Sequence, residues 1–500
     1  MGRVARITDP DELRRTALLL EQENEKLVEK LSALIRQNAD LKGTDAQLKL
    51  AEFERQLAVA RRRLFGESSE KRDVSQVGDE AKKPARGHGP REQLALPIQE
   101  VVHDLDEADK ICPSCGGALA EWENQFEEAD EIHPIARSFV MRRHKRKKYR
   151  CPCGVIETAL PPSKLIAGGR YSTGFAIEVA TKKYLDHLPL ERQVRIMSRE
   201  GLVVDSQTLF DQILALARVL EPAHERLLEY VRSRPVIGAD ETRWPLLGGN
   251  EEISKRWQVW TITAPDAIGY KILDSRSAAA AREVLAEYAG VVMADGYGAY
   301  VSLAKNGGRF TLVHCWAHVR RKFFDIQEFF PSQTKEILDL IGELYAVEAD
   351  APTGPPGNEI RAKLREEKSR VLVKRIQTWL LSTRALPESS LGKAIAYARS
   401  MWGGLVRFLD DVRIPLDNNA AERAMRGPVI GRKNHYGSKS RRGTEVAAIL
   451  YSLVESAKLN AIPAEAYLET AAEAGLRGER IPLPHEMRAA LEAARAATAA

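Results

Sequence analysis

RPVIGADETRWPLL, residues 234–247, opens with a short apolar run (235–239) that ends on an acid, Asp240. Four or five apolar residues bounded by Pro and by charge form a buried strand, with the acid at its C-terminal end. The pattern recurs in AGVVMADGYGAY, residues 289–300, where the run 291–294 ends on Asp295, and Gly296 and Gly298 relieve crowding just beyond. Strands are expected at 236–239, 257–263, 267–273, 291–294 and 310–313, with helices at 278–288 and after Gly298. This βββαβαβ order is that of a ribonuclease-H-like fold, with Asp240 on the first strand and Asp295 after the fourth.

A third acid stands downstream in LDNNAAERAMRGPVIGRKNHYGS, residues 416–438, where Glu422 is surrounded by Asn418, Asn419, Arg423, Arg426, Arg432 and Lys433. Residues 413–442 hold eight Lys/Arg and only two Asp/Glu. An acid held among so many bases suits a site that takes a metal ion and phosphates together. Acids at the ends of buried strands, joined by a third from a helix, are expected to converge on two divalent cations. Mg²⁺ (or Mn²⁺) prefers such carboxylate oxygens, and a pair of such ions activates phosphodiester chemistry. The 127 positions from Asp295 to Glu422 exceed what a bare fold of this class needs, so a helical insertion at about 330–410 is expected.

Five hundred residues imply several domains, and 44% hydrophobic residues allow a sizeable core. The net charge of +5 does not make a polycation. The basic residues cluster instead. Residues 137–150, RSFVMRRHKRKKYR, carry eight Lys/Arg and no acid. Arg142, Arg143, Lys145 and Arg146 in that run, with Arg423, Arg426, Arg432 and Lys433, are the expected DNA contacts. No apolar run approaches the about 18–20 residues of a membrane span. No signal peptide is read at the start, so a cytoplasmic, nucleoid-associated protein is expected.

Before the core, Leu13, Leu20, Leu27, Leu34, Leu41 and Leu48 repeat every seven residues, with Asn24 and Asn38 at the partner positions. Leu at one heptad position and occasional Asn at the other is how a parallel two-stranded coiled coil sets its register. A homo-oligomer, at least a dimer, is therefore expected. CPSC (Cys112, Cys115) and CPC (Cys151, Cys153) are two close cysteine pairs in a reducing compartment, expected to bind one structural Zn²⁺. Residues 190–200 and a helix from Gln207, capped by Ser206, have a helix-turn-helix outline. His314, Cys315 and His318, in HCWAHVRRKFFD, read as core rather than as a second metal site.

The expected plan is a leucine-zipper-like coiled coil (10–66), a linker (67–95) and a zinc-binding module (96–165). A helical, helix-turn-helix-like DNA-binding region (170–230), the catalytic core (234–446) and a C-terminal helical segment (447–500) follow. The last segment is expected to pair an apolar helix with a short, partly mobile tail after Pro463.

LFGESSEK, CPSCGGAL, KYLDHLPLERQ, ADET, ADGYGAY, CWAHVRRKFFD and DNNAAERAMRGPVIGRKN together resemble the large transposase subunit of the insertion sequence 66 family, over nearly the whole chain. The resemblance implies a DDE transposase with a multidomain α/β fold. Its catalytic triad carries over to Asp240, Asp295 and Glu422, and its zinc ligands to Cys112, Cys115, Cys151 and Cys153. The chain departs from the family pattern in having CPC, with one residue between the second pair of cysteines, and in NHYGS after GRKN. The implied activity is cleavage at terminal inverted repeats and transfer of the 3′ ends to target DNA, with small accessory proteins as possible partners. A DNA-binding regulator that does not cut, and a ribonuclease-H-like nuclease without strand transfer, are the competing readings.

Overall fold

In a computed structural model, the described residues are 98–499 apart from 107–109, 121–131, 133–137, 154 and 248–255. The heptad leucines and the expected linker at 67–95 lie outside them. The chain divides into two compact units, residues 66–138 being the smaller. The unit boundary, between Ser138 and Phe139, falls inside the span expected for a single zinc module and separates the two cysteine pairs.

In the smaller unit, an isolated antiparallel bridge joins Ile111 to Ala118 around the first cysteine pair. Among the described residues, the first paired strands of the larger unit are a hairpin of β1 (Lys148–Arg150) and β2 (Ile156–Thr158). Three helices follow: α1 (Thr173–Tyr184), α2 (Leu190–Arg199) and α3 (Ser206–Arg232). Asp205 caps α3, its side chain accepting from the Thr208 N–H at 2.6 Å, where Ser206 was expected to cap. Both residue types cap well, and Ser206 instead donates its hydroxyl to Glu191 at 2.7 Å. Helix α3 buries Leu209, Ile213, Leu216, Leu220, Leu227 and Val231 along one stripe. That stripe packs on the sheet and on neighbouring helices of the same unit.

The sheet has five strands, β3 (Val236–Arg243), β4 (Gln258–Ala264), β5 (Ala267–Leu273), β6 (Val291–Ala294) and β7 (Thr311–His314). Their spatial order is β5-β4-β3-β6-β7. The first three are antiparallel, joined through a two-residue turn between Ala264 and Ala267, and β3, β6 and β7 are parallel. Parallel neighbours need crossovers, and these are α4 (Ala278–Leu285) and α5 (Gly298–Lys305). The expected strands and their order are all present, and β3 runs on past Ala239 to Arg243.

After β7 come α6 (Trp316–Phe324), α7 (Pro331–Ala349), α8 (Asn358–Leu364), a π-helical turn at Arg365–Ser369, α9 (Arg370–Ser382) and α10 (Ser390–Leu405). These helices share a core of their own, including Phe323, Ile337, Leu344, Ile376 and Trp379. The chain then returns through α11 (Asn419–Ala424) and α12 (Arg426–His435) to α13 (Arg441–Leu459). Helix α13 packs on β5, where the Ser452 and Ser456 hydroxyls accept from the Tyr270 and Ile268 N–H groups at 2.9 Å each. It starts at Arg441, so the boundary drawn at 446/447 falls inside it.

The first part of the tail is packed. Helix α14 (Ala464–Leu476) buries Tyr467, Leu468, Ala471 and Ala472 in the same core as α1, α3, the sheet and α13. Arg226 donates to the Ile481 carbonyl at 2.7 Å before α15 (Pro484–Ala499) begins. An alanine-rich tail looks weakly committed in sequence, but small side chains let α14 lie close against its neighbours. None of the described helices is long and apolar enough to cross a membrane.

Candidate active site

Strand β3 alternates: Ile237, Ala239 and Glu241 are buried on one face, while Gly238 and Asp240 look to the other. Val236, Ile237 and Gly238 pair with Val291, Val292 and Met293 of β6. Continuing that register by two residues sets Asp240 level with Asp295, on strands about 4.8 Å apart. On the next strand His314 pairs with Ala294, so Cys315 stands at the same end.

Helix α11 brings the third acid to this edge. Asn418, at its N-terminus, is buried and donates Nδ2–H to the Ala239 carbonyl at 2.8 Å. Its backbone N–H donates to Cys315 Sγ at 3.2 Å. A side chain on Gly238 would have its Cβ 2.6 Å from Thr263 Oγ1, 2.8 Å from Asn418 Oδ1 and 3.3 Å from Ala421 Cβ. Glycine at 238 therefore lets α11 lie directly on the strand next to Asp240, one turn before Glu422.

Burial first, then the charges of Glu241, Asp295 and Glu422, push the Asp240 carboxyl up to about 7, against the Glu241 N–H that it accepts. Among the described residues, no cation lies within ion-pair distance of Asp240 or Asp295. Asp295 is held by its backbone carbonyl, which accepts from Tyr397 Oη–H at 2.8 Å, and by Oδ1, which accepts from the Tyr297 N–H at 2.9 Å. Gly296, at φ +87°, makes that turn possible, and its Cα lies against Met401 of α10.

Two neighbours were not read from the sequence as site residues. Glu241 points to the opposite face, where Arg276 meets its Oε1 at 2.7 Å. Burial pushes Glu241 up to about 7 despite that guanidinium. Arg276 also stacks 3.9 Å from the Tyr297 ring centre, and the Tyr297 hydroxyl donates to the Arg276 carbonyl at 2.7 Å. The Glu241–Arg276 pair thus braces the loop that follows Asp295. His318 of α6 brings Nε2 to 3.6 Å from Glu422 Oε1, and its Nδ1 is buried without a partner.

Cys315 Sγ, a ring nitrogen of His318 and a carboxylate oxygen of Glu422 all lie within 4.8 Å of one another. Burial pushes the Cys315 thiol up to about 11. A protonated thiol that already accepts an N–H is a poor metal ligand. Packing is the better account of Cys315, while His318 belongs beside Glu422. His314 is half-buried, its ring lying where a Cβ on Gly404 of α10 would be.

The return to α11 from the insertion is held by a buried arginine. Arg365, in the π-helical turn, is 1% exposed. It meets both oxygens of Glu348, at 2.6 and 2.9 Å, and donates to the carbonyls of Asp411 and Ile414 at 3.0 Å each and to that of Phe408. Two residues past Ile414, the Leu416 carbonyl accepts from the Trp316 N–H at 2.9 Å, which fixes the approach to Glu422.

Of the expected DNA contacts, Arg423, Arg426 and Lys433 are exposed near Glu422, and Arg142, Arg143, Lys145 and Arg146 are exposed ahead of β1. Arg146 donates to the Ala159 carbonyl at 2.5 Å. Arg432 departs from the expectation. It is half-buried and donates to Thr242 Oγ1 at 3.2 Å and to the Arg243 carbonyl, tying α12 to β3.

The cysteine pairs each form a small turn. The Cys112 N–H donates to the Gly117 carbonyl at 2.8 Å, Gly116 sits at φ +71°, and N–H groups of Ser114 and Cys115 hold the Cys112 thiol below its ordinary range. In the other pair the Cys151 N–H donates to the Val155 carbonyl at 2.8 Å, and the Cys151 thiol, then the Val155 N–H, lower Cys153. A groove of about 730 Å³ between α7 and α9, lined by Glu336, Val371, Lys374, Arg375 and Trp379, contains none of the three acids.

Residues 168–446 match the model of the transposase IS66 family. The chain belongs to that family. The matched span takes in all three acids, the helical insertion and the basic residues after Glu422, but neither cysteine pair. An uncharacterized protein, y4jD, of Sinorhizobium fredii (strain NBRC 101917 / NGR234) is 33% identical over 393 residues, 75% of this chain and 76% of its own length. A second from the same organism, y4qI, is 32% identical over 402 residues, 76% of this chain and 73% of its own.

Proposed function

We propose that this IS66-family chain is a DNA transposase. It cuts the terminal inverted repeats of its own insertion sequence and transfers the 3′ ends to target DNA, with Asp240, Asp295 and Glu422 as the catalytic acids. The observation that supports the reading is Asp240 and Asp295 in one register on neighbouring parallel strands, with α11, which carries Glu422, packed on β3 and no cation paired to Asp240 or Asp295 among the described residues. The sheet order, with three antiparallel strands continued by two parallel ones, supports the ribonuclease-H-like assignment.

The donor set fits divalent cations: hard carboxylate oxygens, crowded enough that burial and mutual repulsion raise Asp240. Asp240, Asp295 and Glu422 would hold Mg²⁺ or Mn²⁺, two per site. Bound there, the ions supply Lewis-acid activation of a hydroxyl and charge neutralisation at a phosphodiester. The chain's own residues do the rest. Asn418 and Gly238 set α11, which carries Glu422, against β3. His318 orients the Glu422 carboxylate, and the Glu241–Arg276–Tyr297 brace holds the loop behind Asp295. Arg423, Arg426 and Lys433 receive backbone phosphates.

The chemistry balances without a covalent protein–DNA intermediate. Water adds to the phosphorus at the element's end, the P–O3′ bond breaks, and a free 3′-hydroxyl remains on the element. That hydroxyl then attacks a target phosphodiester, forming one P–O bond while another breaks and releases a target 3′-hydroxyl. In each cysteine turn one thiol is held below its ordinary range, Cys112 by the N–H groups of Ser114 and Cys115 and Cys153 by the Cys151 thiol and then the Val155 N–H, which suits ligation of structural zinc. Pairing of element ends through the coiled coil and reading of the repeats by the cysteine-bearing and helical regions complete the proposal.

The test is a cleavage assay on a labelled duplex carrying the element's terminal repeat, comparing wild type with Glu422→Ala in Mg²⁺, Mn²⁺ and EDTA. The expected result is a metal-dependent nick at the repeat boundary that the substitution abolishes, with joined products when target DNA is supplied. Binding without a nick would favour a regulator, nicking without joined products a plain nuclease, and a nick surviving Glu422→Ala would remove Glu422 from the triad.

A further inference from the structure

Helix α10 is the last helix of the insertion, and one of its faces reaches past the insertion to the catalytic sheet. Tyr397, Met401 and Gly404 follow one another at i, i+4 and i+7, which sets them on a single stripe. That stripe meets the exits of β6 and β7. Tyr397 Oη–H donates to the Asp295 carbonyl at 2.8 Å. The Met401 sulfur lies 2.7 Å from where a Cβ on Gly296 would stand. Gly404 leaves open the space that the His314 ring fills. The contact continues past the stripe. Trp316 Nε1–H donates to the Leu405 carbonyl at 2.9 Å, the Trp316 and Trp402 rings meet edge to face at 6.0 Å, and Arg407 donates to the Leu312 carbonyl of β7 at 3.1 Å. Lys322 Nζ stands 5.3 Å from the Tyr397 ring centre, a cation–π contact that holds the ring in place.

Asp295 stands where such support matters. The last ladder pair is Ala294 with His314, and Gly296 turns the chain away at φ +87°. Asp295 is therefore the first residue beyond the register that fixes its neighbours. Its side chain is held from within its own loop, by the Tyr297 N–H on Oδ1 at 2.9 Å. Its backbone is held from the insertion, 102 positions along the chain. A hydroxyl on that carbonyl restrains the peptide plane after Asp295, and with it the direction in which the carboxylate leaves the backbone. Helix α10 is a stiff mount for the hydroxyl, because Leu391, Ala394, Ile395 and Ala398 bury its other side in the insertion's core.

We infer that α10 anchors the Asp295 loop, and that Tyr397 is a positioning residue for the divalent-cation site, holding Asp295 in the direction from which it ligates. The inference rests on the proposed role of Asp295. It gives the helical insertion a part in building the catalytic centre, separate from any contact with DNA. Partners that hold a metal's ligand in place are worth roughly 10- to 100-fold in metal affinity or activity. A displacement of about 1 Å at a reacting centre costs about 100-fold in rate.

The test uses the full chain and the variants Tyr397→Phe, Met401→Ala and Thr378→Ala. Tyr397→Phe keeps the ring beside Lys322 and removes only the hydroxyl. Thr378→Ala removes a hydroxyl that bonds its own helix on the exposed face of α9. Melting is followed against Mn²⁺ concentration without DNA. Nicking of the terminal-repeat duplex at a fixed, sub-saturating Mn²⁺ concentration, and the Kd for that duplex in EDTA, are measured beside it. In Tyr397→Phe the Mn²⁺ midpoint should rise and nicking should fall, each by roughly 10-fold or more, with the Kd for DNA and metal-free melting unchanged. Met401→Ala should move the midpoint in the same direction, and Thr378→Ala should leave it where it is. A midpoint equal to wild type in Tyr397→Phe and Met401→Ala overturns the inference, as does a shift matched in Thr378→Ala. Lost nicking with lowered metal-free melting and an unmoved midpoint overturns it too, since Tyr397 would then serve stability alone. A raised midpoint in a chain that never nicks keeps the anchor and sinks the transposase reading. A wild type that Mn²⁺ does not stabilise sinks both.

Discussion

Asp240→Asn should make the metal-free protein more stable at pH 8, the reverse of what removing a buried hydrogen-bonding acid usually does. The carboxyl of Asp240 stands at about 7 in the folded chain against an ordinary 3.8, through burial first and then the charges of Glu241, Asp295 and Glu422. About three pH units correspond to about 4 kcal/mol at 1.36 kcal/mol per unit. Because the folded value is the higher one, the native state binds more protons than the unfolded chain between pH 4 and 7. Stability therefore falls as pH rises through that window and is flat above it. Glu241 titrates over the same range, so the strain is shared, and about 1–2 kcal/mol is a sounder figure for Asp240 alone. Asn keeps the shape and removes the charge. Melting should rise by several degrees, at about 2–4 °C per kcal/mol in domains of 150–250 residues. The assay is thermal unfolding of wild type and Asp240→Asn at pH 5 and pH 8, each in EDTA and in Mg²⁺. The variant should melt above wild type in EDTA at pH 8, with the gap closing at pH 5. Mg²⁺ should raise wild type by mass action and leave the variant nearly unmoved. A variant that melts below wild type at pH 8 in EDTA, or that gains as much from Mg²⁺, would refute the claim that these carboxylates crowd one cation site.

Three further outcomes are expected. Arg365→Met should lose about 3 kcal/mol, the lower end of the usual cost of breaking a buried ion pair, because three loop carbonyls lose their donor and Glu348 is left with Arg361 alone; urea unfolding measures it, and Arg365→Lys should recover part. Gly238→Ala should cost about 1–3 kcal/mol by overpacking against Thr263 and Asn418, and should lower nicking more than DNA binding because α11 must shift; melting and gel-shift measurements separate the two effects. Arg426→Ala should reduce the salt slope of DNA binding by about 1 with little change in melting, whereas Arg432→Ala should lower melting, since Arg432 ties α12 to β3.

The strands carrying two of the acids were legible because a buried strand needs a short apolar run and its exit needs polar punctuation. β5 and β6 have the bounds expected from sequence, and the helical insertion was legible from the long spacing before Glu422. Capping was readable only to within one residue, since Asp205 and Ser206 are both good caps. The tail after Pro463 is helical as expected, but alanine signals neither face nor partner, and only the neighbouring α3 and α13 show what α14 packs against.

By itself the sequence determined the order of elements and the family, and it named three candidate acids, because periodicity, turn residues and motifs are local properties of a chain. Only the tertiary structure decided that Arg432 braces β3, that Glu241 pairs with Arg276 on the opposite face, and that His318 stands beside Glu422. It alone shows that Arg365 grips a loop about 45 residues away along the chain. Such pairings depend on which side chains the packing brings within a few ångströms, and on how much water it removes from between them. Charge and spacing along a chain carry neither quantity.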